Sequence, residues 1–222
     1  MEAFTHDFRH HLPIADLNFV TGLLGGSSEA GEALLKLLTD PETVDDVLDH
    51  PKLIETVLES VEHLQLSPRL YFYLITRHSL KRAGLDDPEL ADYLSGILES
   101  RMRRRGTTGR REAIFYVVDW LHELEAAPRE KRFQLYVMAG NTLLYHTGLY
   151  PDRIRQRRVR RGAPDIPFYE NYGRYSFESA ARHAETGFGG GALYTRIADT
   201  FTDLRRALND ASERLLHLDA TP

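Results

Sequence analysis

Apolar positions along this chain recur every third or fourth residue, and no stretch sustains the two-residue alternation of a half-buried strand. A short amphipathic helix is expected from Leu12 to Leu24, stopped by Gly25-Gly26. Ser27 or Ser28 then caps a second helix, Glu29 to Leu38, with glutamates in its first turn as the helix dipole favours. Pro41-Glu-Thr-Val-Asp-Asp-Val-Leu-Asp49 is echoed by Pro51-Lys-Leu-Ile-Glu-Thr-Val-Leu-Glu59. Two short helices with a bend between them are expected there, since proline suits a first helical position. Ser67-Pro68 opens a helix to Arg82, with Leu70, Tyr71, Leu74, Ile75 and His78 on adjoining faces and a stop at Gly84. Asp87-Pro88 opens the next, through Tyr93, Leu94, Ile97, Leu98 and Met102, closing at Gly106.

A polar hinge, Thr107-Thr108-Gly109, precedes a core helix carrying Ile114, Val117, Val118, Leu121 and Leu124. Pro128 starts a helix whose broad face holds Leu135, Met138, Ala139, Thr142, Leu143 and His146, and Ala139-Gly140 would admit a neighbouring backbone. After the turn at Gly162 to Pro167, Phe168, Tyr172, Tyr175 and Ser179 fall on one face. A last long helix, Ala192 to Leu218, shows Leu193, Ile197, Phe201, Leu204, Leu208, Leu215 and Leu218. The expectation is all-α: a single globular multi-helix bundle of about nine or ten helices. One domain should cover 1–222, with 1–66 an acidic N-terminal helical lobe or arm and 67–222 the main helical body.

Charge changes this picture more than composition does. The 222 residues carry 33 acids and 28 Lys or Arg, a formal net of −5. Residues 1–68 hold thirteen acids against Arg9, Lys36 and Lys52, a net of −10, whereas 101–161 hold fifteen bases against six acids, a net of +9. Such polarity bears on association rather than on fold. The chain has no cysteine, which removes disulfides and thiolate chemistry and fits a reducing compartment. No run of eighteen apolar residues predicts a membrane span, and a cytoplasmic location is expected.

Candidate chemistry is sparse, and no catalytic signature is present. His6/His10, Asp46/His50 and Glu59/His63 have the four-residue spacing of paired metal ligands, but local helix-surface pairs share that spacing, so no metal site and no cofactor are assigned. Asp119 beside Trp120 could be a tuned acid or a border residue pairing with an arginine. Gly187-Phe188-Gly189-Gly190-Gly191 lacks the preceding strand and the lysine of a phosphate loop, and reads as a linker.

Two clusters stand out. The arginine runs supply Arg103, Arg104 and Arg105, then Arg153, Arg157, Arg158, Arg160 and Arg161, with Arg110, Arg111 and Arg155 beside them; guanidinium groups suit carboxylates and phosphates. The stretch 136–183 supplies Asn141, His146, Tyr169, Tyr172 and Arg174 as candidate pocket residues between the 130–147 and 166–184 helices. The leading expectation is a non-enzymatic interaction or assembly protein whose arginines hold an acidic protein surface, its own in a homo-oligomer or a partner's. An enzyme or small-ligand binder using the pocket is the alternative. Nucleic-acid binding through the arginine runs is a third use, disfavoured by the acidic pI of about 6.1 and the lack of a recognisable module.

Overall fold

The computed structural model describes residues 7–59, 65–108, 124, 127–185 and 190–213. Among the described residues the architecture is all-α, without a strand. The chain divides into two compact units, Met1–Thr108 and Gly109–Pro222.

The first unit holds α1 (Ile14–Gly25), α2 (Ser28–Thr39), α3 (Val44–Leu48), α4 (Pro51–Glu59), α5 (Pro68–Arg82) and α6 (Pro88–Thr108). Its helix ends follow capping chemistry. Gly26 takes the left-handed conformation after α1 (φ 63°), where a side chain would be strained. The Ser27 hydroxyl accepts the Ala30 N–H, and the Ser67 hydroxyl accepts the Leu70 N–H at 3.1 Å. Asp87 accepts the N–H groups of Glu89 and Leu90 and so caps α6. The echoed segments form α3 and α4, although Pro41 to Thr43 is a turn and α3 begins only at Val44.

α1 packs on α2, with Gly25 against the backbone of Gly31, and α5 packs on α4 and α6. Leu53, Val57, Leu70, Ile75, Leu80, Leu94 and Ile97 form the apolar centre. α6 does not stop at Gly106 as expected but runs on to Thr108. A glycine inside a helix costs only about 1 kcal/mol, too little by itself to end one. Thr107 and Thr108 therefore belong to the helix rather than to a hinge.

The second unit holds α7 (Arg129–Leu149), α8 (Pro151–Arg161), α9 (Ile166–Glu185), α10 (Gly191–Asp199) and α11 (Phe201–Ala211). α9 packs on α7 and α10, and α11 packs on α7. Three glycines set these distances. A Cβ on Gly140 would lie 2.8 Å from the Phe177 ring, one on Gly148 2.7 Å from Leu208, and one on Gly173 2.4 Å from the Phe201 ring. The close approach at Gly140 is thus to a ring and not to a backbone. The expected long C-terminal helix is two helices with a break at Thr200, where Asp203 and Leu204 donate to the Thr200 carbonyl and start a new turn. The break lets Phe201, fully buried, drop onto Gly173. The residues expected to form a core helix between 114 and 121, together with Asp119, Trp120, Phe188, Leu215 and Leu218, lie outside the described residues.

Candidate interaction surface

α8 is built from the smallest apolar anchor of any long helix in the unit. Pro151 and Ile154 are its buried residues, and Gly162 ends it in the left-handed conformation (φ 62°), its N–H bonding to the Arg158 carbonyl at 3.0 Å. Its first turn is keyed to the end of α7 by aromatic rings. Tyr150 lies 5.7 Å from Tyr145 and 6.2 Å from His146, and the Arg153 guanidinium stacks 4.5 Å over the Tyr150 ring.

Beyond that turn the arginines separate by role. Arg155 bonds Asp152 at 2.6 Å, one turn back, in a fully surface pair of small energetic value. Arg158 bonds Asp165 at 2.7 Å, and Asp165 also accepts the Phe168 N–H, so this pair links the end of α8 to the start of α9. Arg157 is half-buried. Arg160 and Arg161 are exposed and make no ion pair among the described residues, and Val159 between them and Arg158 is 87% exposed. Across 151–165, six arginines face Asp152 and Asp165, a net of +4. The helix dipole favours cations at this end by a few tenths to 1 kcal/mol each, so position alone stabilises part of the cluster.

The other basic run lies on α6. Arg103 bonds Glu99 at 2.7 Å across one turn. Arg104 and Arg105 lie on the same helix, but their side chains, like Arg110 and Arg111, lie outside the described residues.

The pocket candidates fall into separate groups. Asn141 is buried; Thr142 beside it bonds the Met138 carbonyl of its own helix at 2.7 Å. His146 sits in the ring group with Tyr145 and Tyr150. Tyr169 is buried on α9, Arg174 is exposed, and Tyr172 is half-buried against Leu124 and Ala139.

Tyr172 belongs to a ladder of five rings between α7 and α9. Phe168 stacks on Tyr172 at 6.3 Å, Tyr172 tilts against Tyr175 at 6.1 Å, Tyr175 meets Tyr136 edge-on at 6.3 Å, and Tyr136 stacks on His183 at 5.5 Å. Burial pushes the Tyr172 phenol up to about 12, helped by Tyr175 and Tyr136, and burial likewise raises Tyr136. These phenols therefore stay protonated at neutral pH. Phe168 (42%) and Tyr175 (46%) leave the ladder open to solvent. Tyr136 is the member that periodicity could not join to the α9 rings, because it comes from the facing helix α7, whereas His183 lies on α9 itself.

The largest polar constellation was missed altogether, and it lies in the first unit. Arg69, Tyr73, Arg77 and Lys81 recur every four residues along α5. Arg69 bonds the fully buried Asp92 at 2.6 Å; Arg77 bonds Asp49 through two nitrogens, at 2.8 and 2.6 Å, and also Asp86; Lys81 bonds Asp49 at 2.6 Å. Arg9 pairs with Asp45. Burial would raise the Asp49 carboxyl, but the bonds from Arg77 and Lys81 outweigh it and hold the carboxyl below its ordinary value. Burial raises Asp16, which accepts both the N–H and the hydroxyl of Ser67 at 2.6 Å and so ties α1 to the start of α5. The Tyr73 hydroxyl and one nitrogen each of Arg9, Arg69 and Arg77 are buried without a partner among the described residues. Each such atom costs roughly 1–3 kcal/mol, so this network is held together against a penalty.

Of the spaced metal candidates, His50 accepts the Lys52 N–H at 3.2 Å and helps to start α4, while His10 bonds Asp7. His6 and His63 lie outside the described residues. Among the described residues no group of three or more His, Cys, Asp or Glu could hold a metal ion, and no helix is long and apolar enough to cross a membrane. Comparison of the chain with protein-family models, with curated proteins and with solved structures found no match in any of the three.

Proposed function

We propose that the chain is a non-enzymatic interaction protein of the cytoplasm that uses the α8 arginines to hold an acidic protein surface, a partner's or that of a second copy. The observation carrying this reading is the C-terminal half of α8. Arg160 and Arg161 stand exposed and without ion pairs among the described residues, beside an exposed Val159, on a helix that buries little of its own surface. Guanidinium groups around one apolar contact are the composition of an interface anchor, since arginine is enriched at interfaces and forms bidentate bonds to carboxylates. Arg103, Arg104 and Arg105 extend the same chemistry on α6. Absence of cysteine is in keeping with the reducing compartment proposed.

The test is sedimentation velocity and co-purification at low and high salt, on the wild-type chain and on Arg160→Glu/Arg161→Glu. The reading requires an assembly that weakens as salt screens the charges and that the double reversal removes. A wild-type chain that stays monomeric and captures nothing at any salt concentration defeats it.

A second reading has its own observation, the partly open ring ladder Phe168, Tyr172, Tyr175, Tyr136 and His183. Stacked rings with protonated phenols would hold a flat polar small molecule. Quenching of tyrosine fluorescence by a bound aromatic ligand, lost in Tyr172→Ala, would favour that reading over the first.

A further inference from the structure

Residues 7–11, ahead of α1, make a small turn. His11 N–H bonds the Phe8 carbonyl at 3.0 Å, and the His10 and His11 rings both bond Asp7. The turn is therefore held in part by its own contacts, and an element with internal bonds docks at lower entropic cost than a free strand. What it touches is a socket on α3, α5 and α6. Phe8 N–H donates to Asp92 Oδ2 at 3.1 Å, the Phe8 ring lies 5.5 Å under the Arg69 guanidinium and 6.5 Å from the Tyr73 ring, and Arg9 pairs with Asp45. These polar partners are 84 and 36 residues away along the chain, and among the described residues none of the turn's polar bonds goes to α1, the helix that follows it. The tether is Leu12-Pro13, extended at Pro13 (ψ 152°), leading to Ile14, which is 77% exposed. The turn is a plug and the socket is complete without α1; only the tether makes the pairing intramolecular.

We propose that this plug is exchangeable: Phe8 and Arg9 of one copy seat between Arg69, Tyr73, Asp92 and Asp45 of a second, giving a reciprocal, two-fold, plug-exchanged dimer. Exchange of an identical element needs no new contact, because each socket receives the same side chains it holds at home. The carboxylates select the occupant. Asp92 takes a backbone N–H, Asp45 takes a guanidinium, and the ring between Arg69 and Tyr73 must be aromatic, so the socket reads a Phe-Arg pair. This pairing involves no residue of α8 and stands independently of the function proposed above.

The test uses a fluorescent peptide of residues 5–14 and the full chain carrying Phe8→Ala and Arg9→Ala, whose socket is unfilled. Anisotropy should rise saturably, and a peptide with Phe8→Ala should bind about tenfold more weakly or worse, as expected for loss of a buried aromatic anchor. A double variant that keeps its helical circular dichroism and cooperative melting yet binds no peptide overturns the proposal. Because that variant could lose its fold, wild-type plugs are tested too, in chains labelled with donor and acceptor dyes on an introduced cysteine, which the natural sequence lacks. Energy transfer on mixing that excess peptide abolishes supports exchange. No transfer, or transfer that the peptide leaves unchanged, overturns it; in the second outcome, loss of transfer in Arg160→Glu/Arg161→Glu assigns the dimer to α8 instead.

Discussion

α5 and α8 are both rich in arginine, and they treat it in opposite ways. On α5, Arg69 and Arg77 are buried, spaced eight residues apart on one face with Tyr73 between them; Arg69 is met by Asp92 of α6 and Arg77 by Asp49 and Asp86 of the connecting loops. On α8, six arginines within nine residues wrap around the helix, so no single partner element can meet them all, and the last two are left to solvent. Spacing, more than residue type, decides whether an arginine becomes architecture or surface. The energetic consequence is unequal. A buried charge with one partner removed becomes an uncompensated charge, whereas a surface charge is screened by water and salt.

The contrast is broken most severely by Arg77→Ala, which strips Asp49 and Asp86 of their shared partner. A loss of about 3–5 kcal/mol is expected, read from the urea midpoint of the first unit by circular dichroism. A change below 1 kcal/mol would mean that the α5 arginines are no more structural than those of α8. Next comes Gly173→Ala, which forces a methyl group into the Phe201 ring. It should cost about 1–3 kcal/mol, equally at low and high salt, because the contact it disturbs is one of close packing rather than of charge.

Acid sharpens the comparison further. Asp49 is held below the ordinary carboxylate value, so its contribution is complete above that value and is lost as pH falls through the lowered one. Asp16, raised by burial, has the opposite sign and weakens the fold as pH rises through its raised value. Asp49→Asn should therefore lower the melting temperature at neutral pH and flatten its decline below about pH 4. The smallest effect is expected from Arg160→Glu/Arg161→Glu. Stability should fall by about 1 kcal/mol, through the lost interaction of these two side chains with the helix dipole, while assembly is lost.

Helix ends were legible in the sequence wherever local chemistry sets them. Ser27, Ser67 and Asp87 cap as their positions foretold, and Gly26, Gly84 and Gly162 stand at helix ends with positive φ. Gly106 shows the limit of such signals, for α6 runs through it to Thr108, a glycine inside a helix costing too little to end it. The break at Thr200 was hidden because its cause, a seat for Phe201 on Gly173, belongs to another helix. The same holds for the candidate sites. The α8 cluster could be seen because its members are adjacent in sequence, and where they stand follows from α8 alone. The α5 network could not, since hydropathy reads Arg69 and Arg77 as exterior and their acids lie on α6 and the connecting loops. Only the four-residue recurrence of Arg69, Tyr73, Arg77 and Lys81 marked it.

The glycine seats under Phe177 and Phe201 carry a dynamic consequence. A ring pressed against a facing helix backbone has no room to turn about its own axis while the helices stay in contact. Its half-rotations must wait for α7, α9 and α11 to part for a moment. The exchange broadening of those two phenylalanine ring signals in a nuclear magnetic resonance spectrum is therefore a clock for the breathing of the second unit, readable without altering a single residue.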